Sequence, residues 1–143
     1  MKKEIINLYL NKKSLVKRSP DISRANSLIQ SSQQIISVVK NITLNEESAT
    51  IIFRELYESI RELGDAKWWI LGYEAKFHEP SIKVLTEAKI KNSVELFKLE
   101  RFRQIRNDAN YRGYKVTVEQ AKEISGFLNK NYKELVEWVK SKD

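Results

Sequence analysis

The chain has no cysteine, a single histidine, two prolines and four glycines in 143 residues. Without cysteine there can be no disulfide, no thiolate metal site and no cysteine nucleophile, and the composition fits a reducing compartment. One histidine, His78, leaves only carboxylates to share a metal. Their commonest spacings, Glu58 with Glu62 and Glu119 with Glu123, read as solvated helix faces. A serine–histidine–aspartate triad has only that one candidate base. The glycines are isolated, so no glycine-rich phosphate loop exists. So few chain breakers argue against a turn-rich β-sandwich and for long helices. The longest wholly apolar run is Trp68-Trp69-Ile70-Leu71, far short of the ~20 residues a membrane span needs. Asn7, Asn11, Lys12 and Lys13 break the N-terminal region before it reaches signal-peptide length. The expectation is a cytoplasmic protein with no cofactor, metal or membrane association.

What is present is ordinary for a globular domain: 41% hydrophobic and 31% charged residues. A chain of this length folds as one domain and buries roughly 68–70% of its unfolded surface. The net charge of +7 is unevenly placed. Residues 1–40 carry +6, 41–75 carry −4, 76–115 carry +5 and 116–143 are neutral. Two basic blocks around an acidic one suit a polyanion partner, or self-association through opposite patches; the plainer alternative is a lysine-rich surface that keeps the protein soluble.

Apolar periodicity predicts an all-α bundle of four to five helices over 19–143, preceded by a basic segment or short helix over 1–18. Ser19 before Pro20 predicts a helix start, and the stripe Ile22, Ala25, Leu28, Ile29, Ser32, Ile35, Ile36, Val39 continues it toward Asn41. Thr43 and Glu46 have capping-box spacing ahead of the stripe Ile52, Phe53, Leu56, Ile60, Leu63, with a stop near Gly72. Gly64 inside that helix suggests a close approach of another element. A short helix is expected at Glu79-Pro80, and another from Asn92 or Ser93 through Val94, Leu96, Phe97, Leu99, Phe102 and Ile105. The last starts at a second capping box, Thr117 with Gln120. No alternating strand pattern is found. The expected core is Ile52, Phe53, Leu56, Ile60, Leu63, Phe102, Ile105, Leu128 and Leu135. Trp68 and Trp69 point about 100° apart on a helix, so one should cover a second surface, either the loop near Phe77 or another subunit.

The most informative stretch runs from Arg101 to Tyr114, where Arg101, Arg103, Arg106 and Arg112 stand beside Asn107, Asn110, Tyr111 and Tyr114. On a helix Arg103, Arg106 and Asn110 share a face, and Arg101 lies elsewhere. Guanidinium groups grip phosphate bidentately and tyrosine stacks on bases, so the stripe suits phosphate and base contact. It equally suits a solvent face whose arginines pair with Glu100 and Asp108.

The run Arg106-Asn107-Asp108-Ala109-Asn110-Tyr111-Arg112-Gly113-Tyr114 resembles the signature of HEPN-domain proteins, in which Arg, often followed by Asn, precedes a His by four to six residues. In the toxin-type subgroup the pattern is Arg-Asn, four residues, His, any residue, Tyr. Arg106, Asn107 and Tyr114 match it, and Arg112 stands where the His would be. The stretch from Arg54 through Gly64 to Gly72-Tyr73, then Phe77-His78-Glu79 and Ile82, is similar to archaeal-type HEPN proteins, relatives of the HEPN partners of minimal nucleotidyltransferases. The resemblance covers roughly residues 19–140. It implies a helical bundle, usually a homodimer, with the arginine motif in a cleft near the dimer interface. It also implies RNA or nucleotide binding, metal-independent ribonuclease activity in some members, and toxin–antitoxin pairing with small nucleotidyltransferases in others.

The departure at Arg112 bears on catalysis. In active members the His is thought to assist attack of a ribose 2′-hydroxyl, and arginine stays protonated at neutral pH. Phenols such as Tyr111 and Tyr114 are ordinarily poor bases, with a reference pKa of about 10. His78 reaches the cleft only if the chain after Gly72 folds back; otherwise it is a helix-start histidine bonded to local backbone. Three readings follow. In the first, the domain binds RNA or a nucleotide phosphate through Arg103, Arg106, Asn107, Asn110, Arg112 and Tyr114, with degenerate catalysis. In the second it is a metal-independent endoribonuclease, the candidate groups being Arg106, Asn107, Tyr111, Tyr114 and His78. In the third it is an interaction module for a nucleotidyltransferase, with Arg106 structural.

Overall fold

Helices dominate the computed structural model, which describes residues 1–142. In chain order the elements are α1 (Lys3–Asn11), β1 (Leu15–Lys17), α2 (Ile22–Val39), α3 (Ala49–Leu71), β2 (Tyr73–Ala75), α4 (His78–Leu85), a 3-10 turn (Ser93–Phe97), α5 (Lys98–Tyr111) and α6 (Val118–Lys140). The class is all-α, and α2 to α6 are the bundle expected between 19 and 143. The central helix α3 packs against α2, α4, α5 and α6.

The starts of α2 and α3 differ from the sequence expectation, each for a local reason. The α2 cap is Asp21, whose carboxylate accepts from the Arg24 N–H at 2.9 Å. Ser19 and Pro20 stay outside the helix because the neighbouring backbone is used elsewhere. Arg18 N–H donates to the Gly72 carbonyl at 2.9 Å, and Asp21 N–H donates to that of Trp69 at 3.0 Å. Ahead of α3 the Thr43–Glu46 box does not form. The Asn45 side chain accepts from the N–H groups of Glu47 and Ser48, and the Ser48 hydroxyl donates to the Thr43 carbonyl. That asparagine turn consumes the region, so α3 begins at Ala49. The Thr117–Gln120 box forms in full at α6.

Gly72 ends α3 in the left-handed region at φ 93°. From there the chain doubles back into β2, which pairs antiparallel with β1 (Leu15 opposite Ala75, Lys17 opposite Tyr73). Three residues per strand are too few to show an alternating pattern, which is why the ribbon was not expected. It ties the N-terminal segment to the body, and Tyr9 and Leu15 join the core.

Ile52, Phe53, Leu56, Ile60, Leu63, Phe102, Leu128 and Leu135 are buried as expected, and Ile105 is half-buried against them. Both tryptophans are also inside. Trp68 donates its indole N–H to the Pro80 carbonyl at 2.9 Å and meets Tyr73 edge-on. Trp69 lies under the Arg24 guanidinium at 4.5 Å. Their divergence is absorbed within one chain, toward α4 and toward α2, so this pair leaves nothing for a second subunit to cover. Val94 and Phe97, expected in a buried stripe, are exposed because their segment winds as a 3-10 turn rather than an α-helix. Part of the polar interior is paired in a network in which the Ser32 hydroxyl meets those of Ser59 at 2.7 Å and Tyr132 at 2.8 Å. No described helix is long and apolar enough to cross a membrane.

Candidate functional site

Helices α3, α4 and α5 bring one residue each to a common point. Phe102 of α5 packs edge-on against Phe53 of α3, ring centroids 6.0 Å apart. One turn further along both helices the Arg106 guanidinium lies over the Tyr57 ring, 5.8 Å from its centroid. On α3 the polar line Tyr57, Arg61, Asp65 continues along the same face at steps of four. Helix α4 docks there. A Cβ on Gly64 would overlap the Ser81 carbonyl, so glycine is what allows the backbones to meet. The Ser81 hydroxyl donates to Asp65, and Trp68 holds Pro80. The first residue of α4, His78, therefore comes to rest with Nδ1 3.5 Å from the Tyr57 hydroxyl and its ring 5.8 Å from the Tyr57 ring. The chain after Gly72 does fold back, and the histidine's partner is a side chain of α3.

The electrostatics follow from this crowding. Burial, then the positive charges of Arg106 and Arg61, lower the His78 pKa to about 4, against a smaller opposing pull from Glu58. The imidazole is neutral at pH 7. Burial pushes Tyr57 well above the ordinary phenol value, so it stays protonated and is no base. Burial works to raise Glu58, but its hydrogen bond to Arg61 and the charges around it win and hold its carboxyl low. Arg61 pairs with both Glu58 and Asp65. Asp65 itself is raised by burial.

The arginines divide sharply. Arg101 is exposed and pairs with Glu123 of α6 at 3.0 Å. Arg103 is tied to Glu100, with Nη2 at 2.6 Å from Oε1. Arg112, at the end of α5, is exposed and faces Asp108 at 3.9 Å. The pairing with Glu100 and Asp108 that the sequence allowed thus holds for Arg103 and Arg112. Arg106 differs: among the described residues no carboxylate lies within ion-pair distance of it, and an aromatic face is its neighbour. Asn107 is half-buried beside it. One turn on, the Asn110 side-chain oxygen is buried with no hydrogen-bond partner. Tyr111 and Tyr114 are exposed, beyond the end of this face.

No protein-family model, curated protein or solved structure matches the chain.

Among the described residues no group of three or more histidines and carboxylates is placed to hold a metal ion. A pocket of about 250 Å³ opens between α2, α3 and α6, lined by Ile36, Leu44, Ile52, Leu56 and Leu128. It contains none of the candidate site residues, only members of the expected apolar stripes and core. The α3–α4–α5 cluster offers different chemistry: a guanidinium with no carboxylate within ion-pair distance, a buried amide oxygen without a partner and a neutral imidazole. Sequence reasoning found Arg106, Asn110 and His78 but missed Tyr57 and Arg61. The available signal was the polar line 57, 61, 65 continuing from Phe53, which marks a face of α3 that meets something polar.

Proposed function

We propose that the protein binds a phosphodiester, in RNA or a nucleotide, at Arg106. The observation that supports this reading is the unpaired guanidinium. Its neighbours Arg101, Arg103 and Arg112 all have carboxylate partners, and a half-buried cation without one is costly unless a ligand supplies the charge. Arg103 and Asn107, on the same helix, flank the phosphate. The resemblance of residues 106–114 to the HEPN signature leads to the same ligand class. The test is oligonucleotide binding by fluorescence anisotropy across a salt series. For a single strand the slope of log affinity against log salt is about −0.7 per phosphate contacted. Arg106→Ala should lose affinity and flatten the slope by about that amount, while Arg101→Ala, already committed to Glu123, should change little. Equal behaviour of the two variants would remove the site.

His78 favours a second reading, metal-independent RNA cleavage. Its neutral imidazole takes the proton of a ribose 2′-hydroxyl. The 2′-oxygen bonds to the adjacent phosphorus while the bond to the next 5′-oxygen breaks, and that oxygen takes a proton from water. The products are a 2′,3′-cyclic phosphate and a 5′-hydroxyl end. Arg106 balances the charge that builds on phosphorus. An imidazole with a pKa near 4 is a weak base, but a phosphate bound beside it raises that value. On this reading the wild type cuts RNA in the presence of EDTA and His78→Gln does not. Intact RNA after long incubation with the wild type leaves the binding reading alone.

A further inference from the structure

Helix α5 ends in an exposed turn that the phosphate site does not use. Residues 111–115, Tyr-Arg-Gly-Tyr-Lys, are all solvent-exposed. Tyr111 is 78% exposed and Tyr114 60%, among the most exposed large side chains of the protein. The turn is nonetheless ordered by its own backbone. The Asp108 carbonyl accepts from Arg112 N–H at 3.0 Å and Tyr114 N–H at 3.3 Å, and Gly113 takes φ 70°, where nothing crowds it. A left-handed glycine between the two rings lets the chain reverse without burying either. Arg112, which faces Asp108 at 3.9 Å, and Lys115 adjoin the two tyrosines in sequence. Tyr111 is five residues past Arg106, about 7.5 Å along the helix axis.

We infer that Tyr111 and Tyr114 form a base-stacking platform, so that the ligand of the Arg106 site is single-stranded RNA with accessible bases rather than a duplex or a bare phosphate. The inference rests on the phosphate reading above. Two solvent-exposed aromatic side chains on an ordered backbone turn, with cations next to them in sequence, suit a polyanion whose units each carry a flat ring. A protein partner fits less well, because the turn carries two cations and no acid within 111–115 to confer specificity. A duplex keeps its bases stacked on one another and offers no free face. A strand whose phosphate sits at Arg106 reaches the tyrosines with its neighbouring bases.

The experiment compares three probes with the full chain by fluorescence anisotropy. They are a 2′-O-methylated single strand, which cannot be cut by 2′-hydroxyl attack, an abasic strand of the same length, and a duplex. The wild type should bind the single strand at least about fivefold more tightly than the abasic strand, from stacking on one ring or more. Tyr111→Ala with Tyr114→Ala should erase that preference and leave abasic binding unchanged, and Tyr111→Phe with Tyr114→Phe should retain it. Arg106→Ala should weaken both strands alike. Equal wild-type affinity for single and abasic strands, sensitive to Arg106→Ala, would overturn the platform and leave the phosphate site standing. A base preference that survives both alanines would also overturn it. Affinity indifferent to Arg106→Ala would instead remove the phosphate reading. If the alanine pair shifts only the oligomeric state in sedimentation, the turn faces a second copy and the RNA assignment is wrong.

Discussion

His78 is the only histidine, so one imidazole resonance reports the whole site. Burial and the guanidinium groups of Arg106 and Arg61 lower its pKa, with Arg103 adding to them and Glu58 opposing. An NMR titration should therefore give a midpoint near 4 rather than the ordinary value of about 6.5. Arg106→Ala should move it up by removing one cause, and inorganic phosphate should move it up in the wild type by adding an anion. A midpoint near 6.5 that ignores both changes would mean that the imidazole does not sit beside Arg106. The same depression sets a sign for stability. Between about pH 6.5 and 4 the unfolded chain holds the proton that the folded chain refuses, so this contribution is present above that window and is lost as pH falls through it. Burial raises Glu62 and Asp65, and their contribution runs the opposite way. The readable quantity is thus the difference between wild type and His78→Gln in denaturant melts. The variant should lose less stability than the wild type on going from neutral pH to pH 4.

At the scale of elements, the docking of α4 decides whether the site exists. Gly64 and Gly126 both lie inside continuous helices, and they give opposite expectations. A methyl at Gly64 would drive into the Ser81 carbonyl. Gly64→Ala should cost at least the ~1–3 kcal/mol of an overpacked core, and it should also displace His78 and move its resonance. Gly126 is exposed on α6 with open space around it, so Gly126→Ala should gain roughly 0.5–1 kcal/mol. Paired thermal melts check both, and equal shifts would mean that α4 does not press on α3 at Gly64. The contrast shows what a sequence displays. The isolated glycine in a long apolar stripe marked a close approach, and the Thr117–Gln120 spacing marked a cap that forms. The same spacing at Thr43–Glu46 failed because Asn45, between them, offers the backbone a competing turn. The three-residue strands are too short for periodicity to reveal. The α5 arginines were legible because they lie on one helix. Their division into paired and unpaired was not, since Glu123 comes from α6 and Tyr57 from α3.

Over the whole molecule, the charge blocks of the sequence are partly cancelled by the fold. In the acidic stretch 41–75, Glu58 and Asp65 are engaged by Arg61, and Glu74 by Arg18 and Lys76. Arg61 is already counted in the −4 of that stretch, so only Glu74 is neutralised from outside it, and the block stays acidic. The net +7 still gives any polyanion a nonspecific attraction, so binding alone cannot establish a site. Two assays on the same two variants separate bulk charge from geometry. On a heparin column Arg106→Ala and Arg101→Ala each remove one cation of 26, and both should elute slightly earlier than the wild type and close together. Against the single-stranded oligonucleotide they should part. Arg106→Ala loses a charge-assisted contact, expected to cost at least about tenfold in affinity. Arg101→Ala loses only an exposed pair with Glu123, worth ~0–1 kcal/mol, and should bind nearly as the wild type does. If the two variants track each other in both assays, the affinity belongs to the summed field of the lysines and arginines, and Arg106 is one surface cation among many.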